Sequence, residues 1–185
     1  VRTAPNIKFD RIGPAIAGKD KVDEIRKLVG EKNPFLVLAS VRKEEESCVE
    51  TMIEKVMGKC PDAVCGLFPR HMHRLSHWRA ALDRLGAKWK NRSEAVTVSP
   101  GEILLWDTFG ELTAAYVSAS AVFVGGSLAP VGGQNFLEPL TCGVIPVLGP
   151  SWYNFFWVGE EIVKTGLVRI VDDWRRAADA LAENL

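Results

Sequence analysis

Three loops of this 185-residue chain gather residue types that bind anions and hydroxyl groups. One reads Pro69-Arg70-His71-Met72-His73-Arg74, directly after an apolar run and before a helical pattern. A guanidinium beside a helix N-terminus suits a phosphate ester. A solvated basic turn, or arginines paired with carboxylates, would give the same string. A second loop reads Gly125-Gly126-Ser127-Leu128-Ala129-Pro130-Val131-Gly132-Gly133-Gln134-Asn135. Its two glycine pairs bracket a strand-to-helix turn, where backbone N–H groups would converge on an anion. It is neither GxGxxG nor a P-loop with its Lys, so it points to neither nicotinamide nor ATP chemistry. Immediately beyond it stands Glu138, three residues after Asn135 and just before Pro139. As a capping-box residue it would serve only the helix start. As a ligand group it would accept hydrogen bonds from both hydroxyls of a ribose. The sequence leaves both readings open.

A third loop, Asp107-Thr108-Phe109-Gly110-Glu111-Leu112, offers Asp107 or Thr108 as a helix cap and Gly110 for close backbone approach to a ligand. The His71-x-His73 pair has no carboxylate or Cys at ligand spacing, so no metal site is expected. Cys48, Cys60, Cys65 and Cys142 form no CxxC and match no zinc spacing, and they read as small buried hydrophobes in a reducing compartment.

The elements that must carry these loops alternate along the chain. Helical periodicity predicts helices over 21–29, 44–57, 73–85, 111–118, 135–143, 154–164 and 173–183. Between them lie short apolar runs at 35–39, 63–68, 102–106, 121–124, 144–148 and 167–171, each read as a strand. Most are continuous rather than alternating, as in parallel strands buried on both faces. The fold class is therefore α/β: one Rossmann-like, doubly wound parallel sheet of about six strands, built from right-handed βαβ units. Residues 1–18, with Pro5, Gly13, Pro14 and Gly18, read as a linker or entry segment, and 19–185 as the folded domain. In such sheets ligands sit at the carboxyl ends of the strands, where all these loops fall.

Composition narrows the function. Lys plus Arg and Asp plus Glu are 23 each, so the formal net charge is zero, which argues against a nucleic-acid partner. Apolar stretches such as 35–39 fall far short of the roughly 20 residues that span a bilayer. No signal peptide is visible. The chain opens on Val1 and not on Met, as a piece of a longer protein would. Trp152, Tyr153, Phe155, Phe156 and Trp157 form an aromatic cluster too large for one buried helix face, so part of it is expected to meet something else.

Taken together, the loops resemble one family, the bacterial 3-deoxy-D-manno-octulosonic acid (Kdo) transferases of lipid A and lipopolysaccharide assembly. The matching segments are 6–10, Ala39-Ser40 with Glu44-Glu45-Glu46, 68–71, 107–112, 125–128, 132–139, and Gly149-Pro150 followed by Asn154-Phe155. They occur in the family's order over nearly the whole chain. The resemblance implies a GT-B glycosyltransferase, with two Rossmann-like domains facing across a cleft. This chain looks like the carboxyl-terminal half, which holds the donor CMP-Kdo. The lipid A precursor, the catalytic base and the membrane anchor would belong to the missing amino-terminal half. By motif, Pro69 and Arg70 would hold the cytidine and its phosphate, with Arg70 meeting the leaving phosphate. Gly110 and Glu111 would lie beside the donor. Ser127, Gly132, Gly133 and Asn135 would line the phosphate cradle, and Glu138 would hold the ribose. No cofactor is implied, and the full protein would work at the cytoplasmic face of the inner membrane. Gln134 stands where the family usually has His, Phe109 where Met is common, and Val41-Arg42-Lys43 where a Thr-His-Glu type sequence is common. Two other readings are another GT-B transferase or epimerase with a UDP or CDP donor, and a non-enzymatic nucleotide-binding module.

Overall fold

The computed structural model describes residues 18–185. The expected entry segment, and the matching stretch 6–10, lie outside the described residues apart from Gly18, which is the N-cap of the first helix. Fourteen regular elements follow in strict alternation except at one point: α1 (Lys19–Val29), β1 (Phe35–Val41), α2 (Glu46–Lys59), β2 (Val64–Pro69), α3 (Leu75–Arg84), β3 (Trp89–Asn91), β4 (Ile103–Leu105), α4 (Leu112–Ser118), β5 (Ala121–Val124), α5 (Leu137–Thr141), β6 (Pro146–Leu148), α6 (Glu161–Lys164), β7 (Arg169–Ile170) and α7 (Trp174–Ala182). The strands form one sheet in the order β3-β4-β2-β1-β5-β6-β7. Every strand pair is parallel. The doubly wound α/β expectation holds, with seven strands where six were expected.

The extra strand is β3. Its three residues are half-buried at the sheet edge and include Lys90 and Asn91, so they carry no apolar run. One expected helix is also broken. The helix expected over 154–164 is a 3-10 turn at Tyr153–Val158, a break at Gly159 (φ 91°) and then the short α6. Helix α1 closes at Gly30, directly after its expected end at residue 29.

Strand period 2 sends alternate residues to opposite faces, and each face has its own core. Leu36 and Leu38 of β1 join Val49, Met52 and Val56 of α2, Trp78 of α3 and Leu181 of α7. Phe35 and Val37 face the other way, onto Ile25 of α1, Tyr116 of α4 and Phe136. Helix α2 shows why this packing forms: its buried Val49, Met52, Ile53 and Val56 repeat at three- and four-residue spacing. Truncating Met52 or Ile53 to Ala would cost about 2–5 kcal/mol. At the far end Asp173 caps α7 by accepting the amides of Arg175 (2.8 Å) and Arg176 (2.9 Å), a contact worth about 1 kcal/mol.

Strand order reverses between β1 and β5, the neighbours at the centre of the sheet. This is the switch point, where the loops leaving adjacent strands part and open a crevice. Of the cysteines, Cys65 alone is fully buried; Cys48, Cys60 and Cys142 are half-buried, and all four are free thiols. The burial expected for them all is thus met by one.

Candidate donor-binding cleft

A cleft of about 210 Å³ opens at the carboxyl ends of β1, β2 and β4. Its floor is aromatic: Phe68 stacks on Trp106 at 4.2 Å between centroids and 18° between planes. Pro69, Arg70, Gly110 and Glu111, all expected site residues, line it together with Ser40, Met72, Thr108 and Phe109. Phe109 is 81% exposed at its mouth. Pockets that enclose a whole small ligand run to roughly 300–1,000 Å³, so this cleft can enclose only part of a nucleotide by itself.

The two loop arginines have different tasks. Arg74 forms a bidentate pair with the buried Glu46, its Nε donating at 2.9 Å, beside His77 at 3.2 Å. That is the structural pairing left open by the sequence. Arg70 is exposed, and among the described residues its guanidinium has no carboxylate partner. Its backbone is fixed, since its amide donates to Val41 O at 2.8 Å. His71 and His73 stack on each other at 5.4 Å. Among the described residues no cluster of three His, Cys, Asp or Glu could hold a metal ion.

Glu111 lines the cleft, yet its carboxylate is already engaged. It accepts from Trp106 Nε1 at 2.9 Å, Thr108 Oγ1 at 2.6 Å and Arg92 at 3.0 Å, with Lys21 Nζ at 3.5 Å. Burial pushes this carboxyl up, but those hydrogen bonds and the charges of Arg92 and Lys21 outweigh it and hold it below the usual carboxylate range. Glu111 therefore shapes the cleft wall. Neither Asp107 nor Thr108 caps α4, contrary to expectation. Asp107 instead accepts the amide (2.8 Å) and hydroxyl (2.6 Å) of Ser93, and Thr108 serves Glu111.

The glycine-rich loop after β5 is organised differently from an open cradle. The buried Glu45 carboxylate accepts the amides of Gly126 and Leu128, and also that of Arg42 at 3.0 Å. Gly133 N donates to Gly126 O (2.7 Å), Gln134 N to Gly125 O (3.1 Å) and Gly132 N to Ser151 Oγ (3.0 Å). Contrary to expectation, these amides are not bare, because an internal carboxylate, the loop's own carbonyls and the Ser151 hydroxyl take them. Gly132 is required by geometry: at φ +89°, a Cβ there would lie 2.4 Å from Asn154 Nδ2. Ser127 is fully buried, donating to Val124 O (2.7 Å) and accepting from Gly149 N (2.9 Å), so its hydroxyl has a structural task and no surface for a ligand. Ser127, Gly132, Gly133 and Asn135 do not line the cleft.

Asn135 is exposed, and its Oδ1 accepts Leu137 N at 3.2 Å at the start of α5. Pro139 falls in the first turn of α5, as expected. Glu138 does not reach back to complete a capping box. Its Oε1 accepts the Thr113 hydroxyl at 2.8 Å, which ties α5 to α4 one residue beyond cleft-lining Leu112.

Several site residues carry little sequence signal. Arg92 lies in a polar stretch, and only the fold brings it to Glu111. Ser40 is the one non-glycine with positive φ (54°) among the described residues. Glu45 had a usable signal, its spacing three residues after Arg42, which the helix pattern absorbed. The aromatic cluster divides between core and surface. Trp152 and Phe155 pack on Phe136, whereas Tyr153, Phe156 and Trp157 are each at least half exposed.

No protein-family model matches the chain. Among curated proteins, it is 32% identical over 152 residues to the 3-deoxy-D-manno-octulosonic acid transferase of Bordetella pertussis, covering 79% of this chain and 35% of that protein. It is 28% identical over 166 residues to the enzyme of the same name from Haemophilus influenzae, covering 87% of this chain and 39% of that protein. The chain thus spans little more than a third of the length of these relatives. Among solved structures, the C-terminal CMP-Kdo binding domain of WaaA from Acinetobacter baumannii superposes with a TM-score of 0.80 at 27% identity, covering 89% of this chain and 86% of that one.

Proposed function

We propose that this chain, a carboxyl-terminal domain of the Kdo transferase family by sequence and by fold, is the donor-binding half of a GT-B glycosyltransferase and holds CMP-Kdo in the cleft between β1, β2 and β4. The observation that carries this reading is Arg70: an exposed guanidinium without an ion-pair partner among the described residues, on a backbone pinned to Val41, over an aromatic floor. That arrangement suits a nucleotide, with the base or ribose against Phe68, Trp106 and Phe109 and the phosphate on Arg70.

The reaction breaks the bond between the anomeric carbon of Kdo and the phosphate oxygen of CMP. The electron pair leaves with the phosphate, where Arg70 stabilises the growing charge without a metal or other cofactor. An acceptor hydroxyl, on a lipid A precursor in this reading, forms the new bond and gives its proton to a base in the amino-terminal half. Glu138, anchored by Thr113 through one oxygen, has its other oxygen for the ribose hydroxyls. Among the described residues no helix is long and apolar enough to cross a membrane. Membrane contact, at the cytoplasmic face of the inner membrane, belongs to the other half.

Calorimetric titration with CMP, UMP, UDP and ADP tests the donor assignment. The expected result is weak, measurable CMP binding that exceeds the other three. Much tighter binding of UDP would overturn it in favour of a different GT-B donor.

A further inference from the structure

We infer that Arg42 and Gln134 form a second anion-reading face of this site, which takes the carboxylate of an acidic sugar while Arg70 takes the nucleotide phosphate. The inference rests on the reading of the cleft as a site for a CMP-linked sugar acid, and adds which residues select the sugar.

Strand β1 does not end straight. Its pairing with β2 shifts between Leu38 and Val41, and Ser40 between them sits at φ 54°. A left-handed non-glycine residue is strained and persists where the surroundings over-determine it. Here they do. Val41 O receives the Arg70 amide, Glu45 receives the Arg42 amide, and the Ser40 carbonyl packs against Gly125, where a Cβ would lie 2.6 Å away. Val41 and Pro69 are register partners on neighbouring parallel strands. Arg42 and Arg70 are therefore the next residues on two strands about 4.8 Å apart, and both emerge at the carboxyl edge of the sheet.

Their side chains serve different ground. Arg42 crosses toward the switch point and lies over the loop that leaves β5. Its Cγ is 3.4 Å from the Cβ position of Gly126, and Gln134 Nε2 is 3.1 Å from that same position. The guanidinium stem and the carboxamide thus share one face of Gly126. The amides beneath are taken by Glu45, so the polar donors this face offers to a ligand are side chains. Arg42 is half-buried, and among the described residues its guanidinium pairs with Glu44 alone, through two contacts of 3.4 Å each. A solvent-screened pair of that kind contributes little to stability and exchanges readily for a ligand anion. Gln134 Nε2 is held no better, at 3.5 Å from Gly133 O.

Two cationic points, one on each side of Ser40, match a ligand with two separate anionic groups. A nucleotide joined to a sugar acid has them, in its phosphate and its carboxylate. A nucleotide joined to a neutral sugar leaves Arg42 with nothing to bind.

The test titrates the chain with CMP and with freshly prepared CMP-Kdo. Arg42→Gln should leave CMP affinity within about twofold and weaken CMP-Kdo about tenfold, as expected for a lost hydrogen bond to a charged group. Arg42→Lys keeps the charge without the fork and should lose less than Arg42→Gln. Arg70→Gln should weaken both ligands. Equal losses for CMP and CMP-Kdo in Arg42→Gln, no loss for either, or an Arg42→Lys variant as weak as Arg42→Gln would overturn the inference while the donor reading stands. A parent chain that binds neither ligand would overturn the donor reading and this inference with it. Unchanged melting temperatures identify the losses as binding effects, and a variant that melts early is judged by the ratio of its two affinities, which unfolding leaves unaltered.

Discussion

The carboxylate of Glu45 accepts the backbone amide of Gly126 across the point where the strand order reverses. One bond thus joins the turn that leads into α2 to the loop that leaves β5. With Leu128 N and Arg42 N on the same carboxylate, Glu45 fills from within a space that the glycines alone would suggest is kept for an outside anion. Burial pushes this carboxyl up, and the amides of Arg42, Gly126, Leu128 and Ser127 pull against that without reversing it. The loop is therefore preformed before any ligand arrives.

Glu45→Ala should be costly. It strips the acceptor from the three amides of Arg42, Gly126 and Leu128, and an unsatisfied buried group costs about 1–3 kcal/mol. Urea unfolding should show a loss of roughly 3 kcal/mol or more with an unchanged m-value. A variant as stable as the parent would show that the loop holds itself.

Arg70→Ala should leave the fold intact, because its side chain is exposed and its anchoring bond to Val41 uses the backbone. Affinity for CMP should fall by about 1.5–3 kcal/mol, the range for hydrogen bonds to charged groups. Calorimetry checks this, and CMP binding equal to the parent's would reduce Arg70 to a solvated turn residue.

Glu138→Gln separates a ligand role from a structural one. The Thr113 hydroxyl can donate to a carboxamide oxygen as well as to the present carboxylate, so the melting temperature should hold. CMP affinity should drop, since a ribose diol donates more strongly to a charged acceptor. The drop should shrink for a 2′,3′-dideoxy analogue. A large fall in melting temperature with CMP affinity unchanged would make Glu138 a strut between α4 and α5 and nothing more.

Asp179 on α7 receives Lys55 Nζ at 2.7 Å and Lys59 Nζ at 2.8 Å from α2. Their hydrogen bonds and charges pull its carboxyl from 3.8 down to about 2. The folded value lies below the unfolded one, so the stability this group contributes is present above pH 3.8 and is lost as pH falls through about 2. An NMR titration of the Asp179 carboxyl should have its midpoint at about 2, and Asp179→Asn should flatten the acid limb of the melting curve between these values. A midpoint near the ordinary carboxylate value would show that the lysines do not hold it in solution.

Much of the architecture is written locally. Continuous apolar runs such as 121–124 and helical spacing such as Val49, Met52, Ile53 and Val56 declare a buried strand and a one-sided helix wherever they occur. Their alternation implies a parallel sheet with helices on both faces. The edge strand β3 escaped because a half-buried strand needs no apolar run, and the 154–164 helix broke at Gly159 because its aromatic residues divide between the Phe136 core and solvent.

By itself the sequence determined the fold class, the loops at the strand ends and the residue types those loops present, because periodicity, glycine and proline act within a few residues. Only the tertiary structure decided what each of those residues does. Arg70 and Arg74 are equivalent four residues apart in the chain, yet one is unpaired among the described residues and the other is clamped by Glu46 from α2. The glycine amides look open until Glu45, some 80 positions earlier, is brought to them. Arg42 and Gln134 become neighbours only when β1 and β5 lie side by side. Charge and hydrogen-bond partners act through space at a few ångströms, and at this switch point those ångströms separate residues far apart in the chain.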